Sequence, residues 1–192
     1  EKLKEPIGIQ DQYISALGGM KAFEISKEGI VTWRDIYKKA SDIADFENNF
    51  ALISVGGSRS AGSILSQQDK QTQAGNNSMI NNLNEVKEMG REFFELLIQK
   101  DFDEYGRLMH KHWELKKQRS KVMSNEHIDE IYEFCILNGS NGGKLIGAGA
   151  GGFLFMHCSN KEDLSIKLSK KNIKCIDFKF EQKGTHLIDT NV

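Results

Sequence analysis

The chain has 192 residues, enough for one well-buried core with a smaller appendage, and its 39% apolar and 28% charged residues exclude wholesale disorder, collagen and a disulfide scaffold. A formal net charge of −1 gives no overall field that would draw in nucleic acid or an acidic membrane. No run of about 18 apolar residues spans a bilayer, and neither a nucleic-acid nor a membrane partner is expected.

Residues 20–25 and 29–34 flank a Lys-Glu-Gly turn and carry β-type residues, which predicts a hairpin. A polar stretch follows, and then Phe50-Ala51-Leu52-Ile53-Ser54-Val55, bounded by Gly56-Gly57, reads as a buried strand. From Ser60 to about Asn138 the period becomes helical. Ile80, Leu83, Val86, Gly90, Phe93 and Leu97 mark one face of a long helix, and Phe102, Tyr105, Leu108, Met109, His112 and Trp113 that of a second. Ser124 or Asn125 caps a third, with Ile128, Ile131, Tyr132, Cys135 and Ile136 facing inward. The Gln/Asn/Ser-rich residues 67–82 read as a connection between helices. Residues 153–157 form a strand, 161–171 a short helix, 173–180 a half-buried alternating strand, and 185–188 one more. The sum is an α+β two-layer arrangement.

Cys135, Cys158 and Cys175 are odd in number and far apart, with no Cys-x-x-Cys pair, so no metal site and a reducing, cytoplasmic setting are expected. His110 and His112 point about 200° apart on a helix and cannot chelate together. Trp113 is assigned to the core or a groove lining, Lys116 and Lys117 to solvent, and Cys135 and Cys175 to buried, inert positions. The chain opens on Glu1 with no basic-then-apolar leader and has 1 Pro; a piece of a longer chain is expected.

Three segments carry chemistry. Glycine density from Gly142 to Gly152 lets the backbone approach a phosphate or another backbone, with amides free to meet an anion. Gly147, Gly149 and Gly152 satisfy G-x-G-x-x-G literally, but a helix precedes and a strand follows, the reverse of a dinucleotide site. A Walker A loop fails as well, because Asn138 stands where its first Gly belongs and Leu145 follows Lys144. A tight helix-to-strand turn is the structural alternative. In Gly8-Ile9-Gln10-Asp11-Gln12-Tyr13, an acid between two amides suits a hydroxyl that loses its proton during phosphoryl transfer, although from spacing alone plain helix capping is the better explanation. In Gly56-Gly57-Ser58-Arg59-Ser60-Ala61-Gly62, Arg59 stands at a helix start where an anion could sit, or is an ordinary surface arginine.

Taken with Trp113-Glu114-Leu115-Lys116-Lys117, these segments resemble the galactokinase, homoserine, mevalonate and phosphomevalonate (GHMP) superfamily of small-molecule kinases, most closely its D-glycero-D-manno-heptose 7-phosphate kinases. The resemblance implies the family's C-terminal lobe, a ferredoxin-like two-layer sheet plus helices, with the tail of the N-terminal lobe. Residues 1–45 would be that tail, with the catalytic-Asp motif and the hairpin, and residues 46–192 the C-terminal domain. It implies Asp11 as catalytic aspartate and Gln12 as a substrate ligand. Arg59 and Lys144 become candidate partners for a sugar phosphate, one of Lys116 and Lys117 a candidate phosphate partner, and Gly147, Gly149, Gly151 and Gly152 the glycine-rich motif near the phosphates. ATP and magnesium would be the cofactors and a sugar phosphate the substrate. The family's own phosphate loop, of the type Pro-x-x-x-Gly-Leu-Gly-Ser-Ser-Ala, is not among these residues. The chain alone is therefore expected to be inactive, and to self-associate through an exposed lobe interface. A kinase for an unphosphorylated sugar such as fucose or galactose, and a non-catalytic α+β binding module, are the alternatives.

Overall fold

The computed structural model describes residues 9–57, 77–118, 123–147 and 151–187. Helix α1 (Gln10–Leu17) ends at Gly18, whose N–H reaches back to the Ile14 carbonyl at 2.8 Å. The expected hairpin follows as β1 (Met20–Ile25) and β2 (Val31–Tyr37), antiparallel, its turn tied by the Ser26 hydroxyl accepting from the amides of Glu28 and Ile30. The polar stretch after it is a helix, α2 (Ala40–Asn49), which sequence reasoning missed. Only Ile43, Phe46 and Glu47 of its ten residues turn inward, so the apolar period is too short to stand out.

Strand β3 (Phe50–Gly56) is buried as expected. Three helices come next: α3 (Asn77–Gln99), α4 (Phe102–Gln118) and α5 (Glu126–Leu137). Asn125 caps α5, its side chain accepting from the Ile128 amide at 3.0 Å. The connection expected over 67–82 is helical from Asn77 onward, and 67–76 lie outside the described residues.

The inward face of α3 is rotated by one residue from the expected stripe. Met79, Asn82, Met89, Leu96 and Leu97 are buried with Phe93 beside them, whereas Ile80, Leu83 and Gly90 are exposed. Both faces carry apolar residues, and the methionine side meets Leu108 and Leu115 of α4, where the Asn82 amide also finds the Leu115 carbonyl at 2.8 Å. Ile136 on α5 is likewise 37% exposed rather than inward.

Strand β4 (Gly143–Ile146) was hidden in the glycine-rich segment, where a turn was expected, because it begins on a glycine and a lysine and only two apolar residues follow. Then come β5 (Gly152–His157), α6 (Lys161–Ser169) and the two-residue β6 (Cys175–Ile176). The long alternating strand expected over 173–180 stops at Ile176, since past it the Phe180 amide donates to the Glu47 carboxylate. Nor do residues 185–187 form a strand: Thr185 gives its N–H and hydroxyl to the Ser15 carbonyl instead.

The four-stranded sheet has the order β4-β5-β3-β6 with every pair antiparallel. Its first strand in chain order lies centrally beside its third, the arrangement of a ferredoxin-like sheet. One face carries Ala51, Ile53, Val55, Leu145, Leu154 and Met156 against Trp113, Ile128, Ile131, Cys135 and Leu164. The other face carries Phe50, stacked on Phe155 at 5.0 Å, in a second cluster with Met20, Tyr37, Phe46, Phe102 and Met109. That cluster joins the hairpin and α2 to the sheet. No helix among the described residues is long and apolar enough to cross a membrane.

Candidate functional site

The glycine-rich segment supplies β4 and the start of β5, which pair antiparallel, and Gly152 lies opposite Gly56 where β3 ends. Gly147 leaves β4 at φ +84°, a conformation glycine adopts without the steric cost of a side chain. Lys116 of α4 holds that point, its ammonium donating to the Leu145 carbonyl at 3.1 Å and to the Gly147 carbonyl at 2.6 Å. Gly151 returns the chain against the end of β3. A Cβ there would stand 2.8 Å from the Gly57 oxygen and 2.9 Å from the Gly56 oxygen, so only glycine fits without displacement. Three motifs thus meet at one edge of the sheet: Gly56-Gly57, the Trp113–Lys117 segment and the glycine segment.

Lys144 lies on β4 opposite Phe155, half-buried, on the sheet face away from the Leu145 side chain. Gly152 opens β5 at φ +103°. Arg59 and Gly149 fall outside the described residues.

Asp11 and Gln12 occupy the first turn of α1 and are exposed. Helix α1 rests on the hairpin through Tyr13, whose ring meets Phe23 at 6.1 Å and Trp33 at 6.3 Å. Neither the Asp11 carboxylate nor the Gln12 amide has a hydrogen-bonding partner among the described residues, and no hydrogen bond or ion pair joins them to the glycine edge. Among the described residues, the structure brings Gly56-Gly57, Lys116 and the ends of the glycine segment together and leaves Asp11 exposed on a separate element.

Two supports of the glycine edge were missed. Tyr132, read as part of an apolar stripe, places its hydroxyl 2.7 Å from His110 Nδ1. That hydroxyl also accepts from the Gly143 amide and donates to the Gly143 carbonyl, pinning the start of β4. Burial pushes the Tyr132 phenol above its ordinary pKa. A lone phenol inside a stripe of Ile and Cys was the signal, because a buried Tyr hydroxyl needs a partner. Lys116, assigned to solvent, is the second support. Lys117 pairs with Glu114 at 2.7 Å.

The remaining residues have structural places. His110 faces Tyr132 while His112 packs against Phe93, so the two rings do diverge. Trp113 is fully buried. Burial pushes the Cys135 and Cys158 thiols up to about 12 and raises Cys175, which keeps all three as neutral packing groups. The larger cavities lie elsewhere. One of about 790 Å³ separates the hairpin from α3, lined by Phe23, Arg34 and Phe94 among others, one of about 540 Å³ lies beside α6, lined by Lys161, Ser165 and Cys175 among others, and one of about 410 Å³ lies between α4 and α5 beside His110 and Tyr132.

The family model for GHMP kinases C terminal matches residues 93–172. A D-glycero-alpha-D-manno-heptose 7-phosphate kinase of Campylobacter jejuni is 29% identical over 179 residues, 92% of this chain and 52% of that protein. A bifunctional fucokinase/GDP-fucose pyrophosphorylase of Arabidopsis thaliana is 28% identical over 120 residues, 62% of this chain and 11% of that protein. This chain thus spans about half the length of the first and a ninth of the second. Among solved structures, a D-glycero-D-manno-heptose 1-phosphate kinase of Bacteroides thetaiotaomicron superposes with a TM-score of 0.65 at 21% identity, covering 93% of this chain and 47% of that one, a likeness of fold. The α+β sheet order and the matched residues agree: residues 93–172 match the model for GHMP kinases C terminal, within a fold like that of the heptose kinase structure.

Proposed function

We propose that this chain forms the C-terminal part of an ATP-dependent sugar-phosphate kinase acting on the anomeric hydroxyl of D-glycero-D-manno-heptose 7-phosphate to give the 1,7-bisphosphate. The observation that carries the reading is the glycine edge, where Gly147 and Gly151 meet Gly56-Gly57 under Lys116, in a chain similar to a heptose 7-phosphate kinase over nearly its whole length. Residues 1–45 are read as the tail of the N-terminal lobe and 46–192 as the C-terminal domain, working in the cytoplasm.

ATP supplies the phosphoryl group. In this reading Asp11 holds the anomeric hydroxyl and takes its proton as the oxygen bonds to the γ-phosphorus, while the bond from that phosphorus to the β–γ bridging oxygen breaks and ADP leaves. A carboxylate exposed on the first turn of a short helix, with no partner among the described residues, supports this role. Gln12 donates its amide to a neighbouring sugar oxygen. Lys144 and Arg59 meet the 7-phosphate, a dianion that favours cationic donors. Gly147, Gly149, Gly151 and Gly152 bring backbone amides close to the transferring phosphate. The described residues offer no cluster of three or more acidic, His or Cys side chains to hold magnesium, and no step here passes through the ion.

Positioning and charge stabilisation supply most of the rate in phosphoryl transfer. Without the family's phosphate loop, these 192 residues alone are inactive in this reading, and they self-associate through apolar side chains such as Ile30 and Trp33, which are 64% and 49% exposed. A monodisperse monomer at high concentration overturns the self-association.

A fucokinase-type enzyme is the second reading, favoured by the Arabidopsis relative. Phosphorus NMR on the longest natural chain that contains these residues, given ATP, magnesium and each sugar, separates the two. Heptose 7-phosphate yields a new anomeric phosphate signal that falls by on the order of 10²- to 10⁴-fold in rate in Asp11→Ala. A preference for the phosphorylated sugar that survives both Lys144→Ala and Arg59→Ala removes those contacts from the account. No product from any sugar leaves the binding module.

A further inference from the structure

The residues after β6 form no strand, yet they are held at two places. At the first, Glu47 of α2 is buried and accepts from the Lys179 ammonium at 2.7 Å and the Phe180 amide at 2.9 Å, while its own carbonyl accepts from Lys161 at 3.1 Å. Phe180 packs on Phe46 with ring centroids 5.8 Å apart. At the second, the chain reaches the C-terminal end of α1. Gly19 donates to the Glu181 carbonyl at 2.7 Å, and Thr185 gives both its N–H (2.9 Å) and its hydroxyl (3.0 Å) to the Ser15 carbonyl. The last carbonyls of a helix lack internal partners, and here residues 170 positions away in the chain supply one. Gly18 and Gly184 touch backbone to backbone. A Cβ on Gly184 would stand 2.5 Å from the Ala16 oxygen, in a residue whose φ of +63° already favours glycine.

We propose that residues 179–185 are a strap that positions the helix bearing Asp11, with Gly184 and Thr185 as positioning residues and Glu47 as the anchor. This rests on the reading of Asp11 given above. Helix α1 has eight residues, none of them fully buried, and near its outer end the Tyr13 ring rests on Phe23 and Trp33. Ser15 receives the strap on its carbonyl and donates its own hydroxyl to the Asp11 carbonyl at 2.8 Å, linking the capped end to the residue one turn away. Asp11 lies seven residues from Gly18, about 10 Å along a helix, so a tilt of about 6° at the strapped end moves it by about 1 Å. A displacement of that size at a reacting group costs on the order of 10²-fold in rate.

The test has two arms. Hydrogen exchange on the 192-residue chain reads the strap without any activity: Gly184→Ala speeds exchange of the Ile14–Gly19 amides about tenfold or more and leaves the amides of β3 and β5 unchanged. Unchanged exchange in α1, or an equal rise everywhere, overturns the strap. Kinetics on the longest natural chain read its consequence: kcat falls on the order of 10²-fold in Gly184→Ala, and about fivefold in the gentler Thr185→Val, which removes one hydrogen bond. In an Asp11→Asn background Gly184→Ala costs nothing further, whereas a merely structural defect would multiply with it. Turnover that persists in Asp11→Ala overturns the role of Asp11 and the strap's role with it. Loss in Asp11→Ala with full rate in Gly184→Ala overturns the strap alone.

Discussion

The two tryptophans stand in opposite kinds of ground. Trp113 sits on α4 with no exposed surface, under the sheet face formed by Ala51, Ile53, Val55 and Met156, while Trp33 on the hairpin is 49% exposed and serves as a shelf for Tyr13 of α1. The sheet with α4, α5 and α6 is a closed hydrophobic body, and the hairpin with α1 is a half-open margin attached to it through Met20 and Tyr37. Phosphoryl transfer needs a group that is held in place yet open to substrate, so the proposed chemistry falls on the margin and on the glycine edge rather than in the core. The sharpest way to break this contrast is to truncate each indole. Trp113→Ala costs about 3–5 kcal/mol of stability, since a full aromatic side chain leaves a cavity in a packed site. Trp33→Ala stays within about 0.5 kcal/mol. Urea unfolding of both variants checks the pair, and equal costs would mean that the hairpin belongs to the cooperative core.

The same division decides what could be read from sequence. The buried strand Phe50–Gly56, the hairpin and the stripe on α4 were legible because their side chains face one continuous apolar body, which imposes a strict period. The face of α3 was misjudged by one residue because apolar side chains such as Ile80 and Leu83 line its outer side as well, and periodicity cannot tell which side finds a partner. Strand β4 was masked by its shortness and by the glycines around it, and the residues after Ile176 by alternation that belongs to side chains packing without a sheet partner. For the site, the motifs pointed to the glycine segment and to Trp113–Lys117, two stretches that meet through Lys116. They could not reveal that Lys116 spends its charge on the Leu145 and Gly147 carbonyls, nor that Thr185 meets Ser15, because both are pairings between distant segments with no local signature.

A titration sharpens the contrast from the side of the core. His157 on β5 is 1% exposed by its side chain, its Nδ1 has no partner among the described residues, and its Nε2 lies 3.5 Å from Asp103. Burial lowers its pKa, more than the Asp103 charge raises it, with Arg107 adding to the fall. Above about pH 6.5 both folded and unfolded chains carry this ring neutral and its full contribution is present. As pH falls through that value the unfolded chain binds a proton that the folded chain refuses, so stability drops, by at most about 1.4 kcal/mol per pH unit. Urea midpoints at pH 7.5 and 5.5 measure it, and His157→Leu shows a smaller drop over the same interval. An identical drop in the variant would assign the effect to the other histidines.

The smallest expected effects separate the helices of the body from those of the margin. Helices α5 and α6 begin on Asn125 and Asn160, each side chain accepting an amide hydrogen bond at 3.0 Å, whereas α1 and α2 begin on Ile9 and Lys39 with no side-chain cap. Asn125→Ala therefore costs about 1 kcal/mol. Lys39 already holds the extended backbone of a capping residue, at φ −86° and ψ +134°, so a hydroxyl placed there can accept from the first turn of α2 without moving the chain. Lys39→Ser raises stability by about 0.5–1 kcal/mol, read as a rise in Tm. Gain at Lys39 beside loss at Asn125 means that the margin holds unused local stability while the body has its caps in place. No gain at Lys39 means that α2 is fixed by Phe46 and Glu47 so firmly that its first turn no longer limits it, and the line between the two regions would then run through the hairpin, ahead of α2.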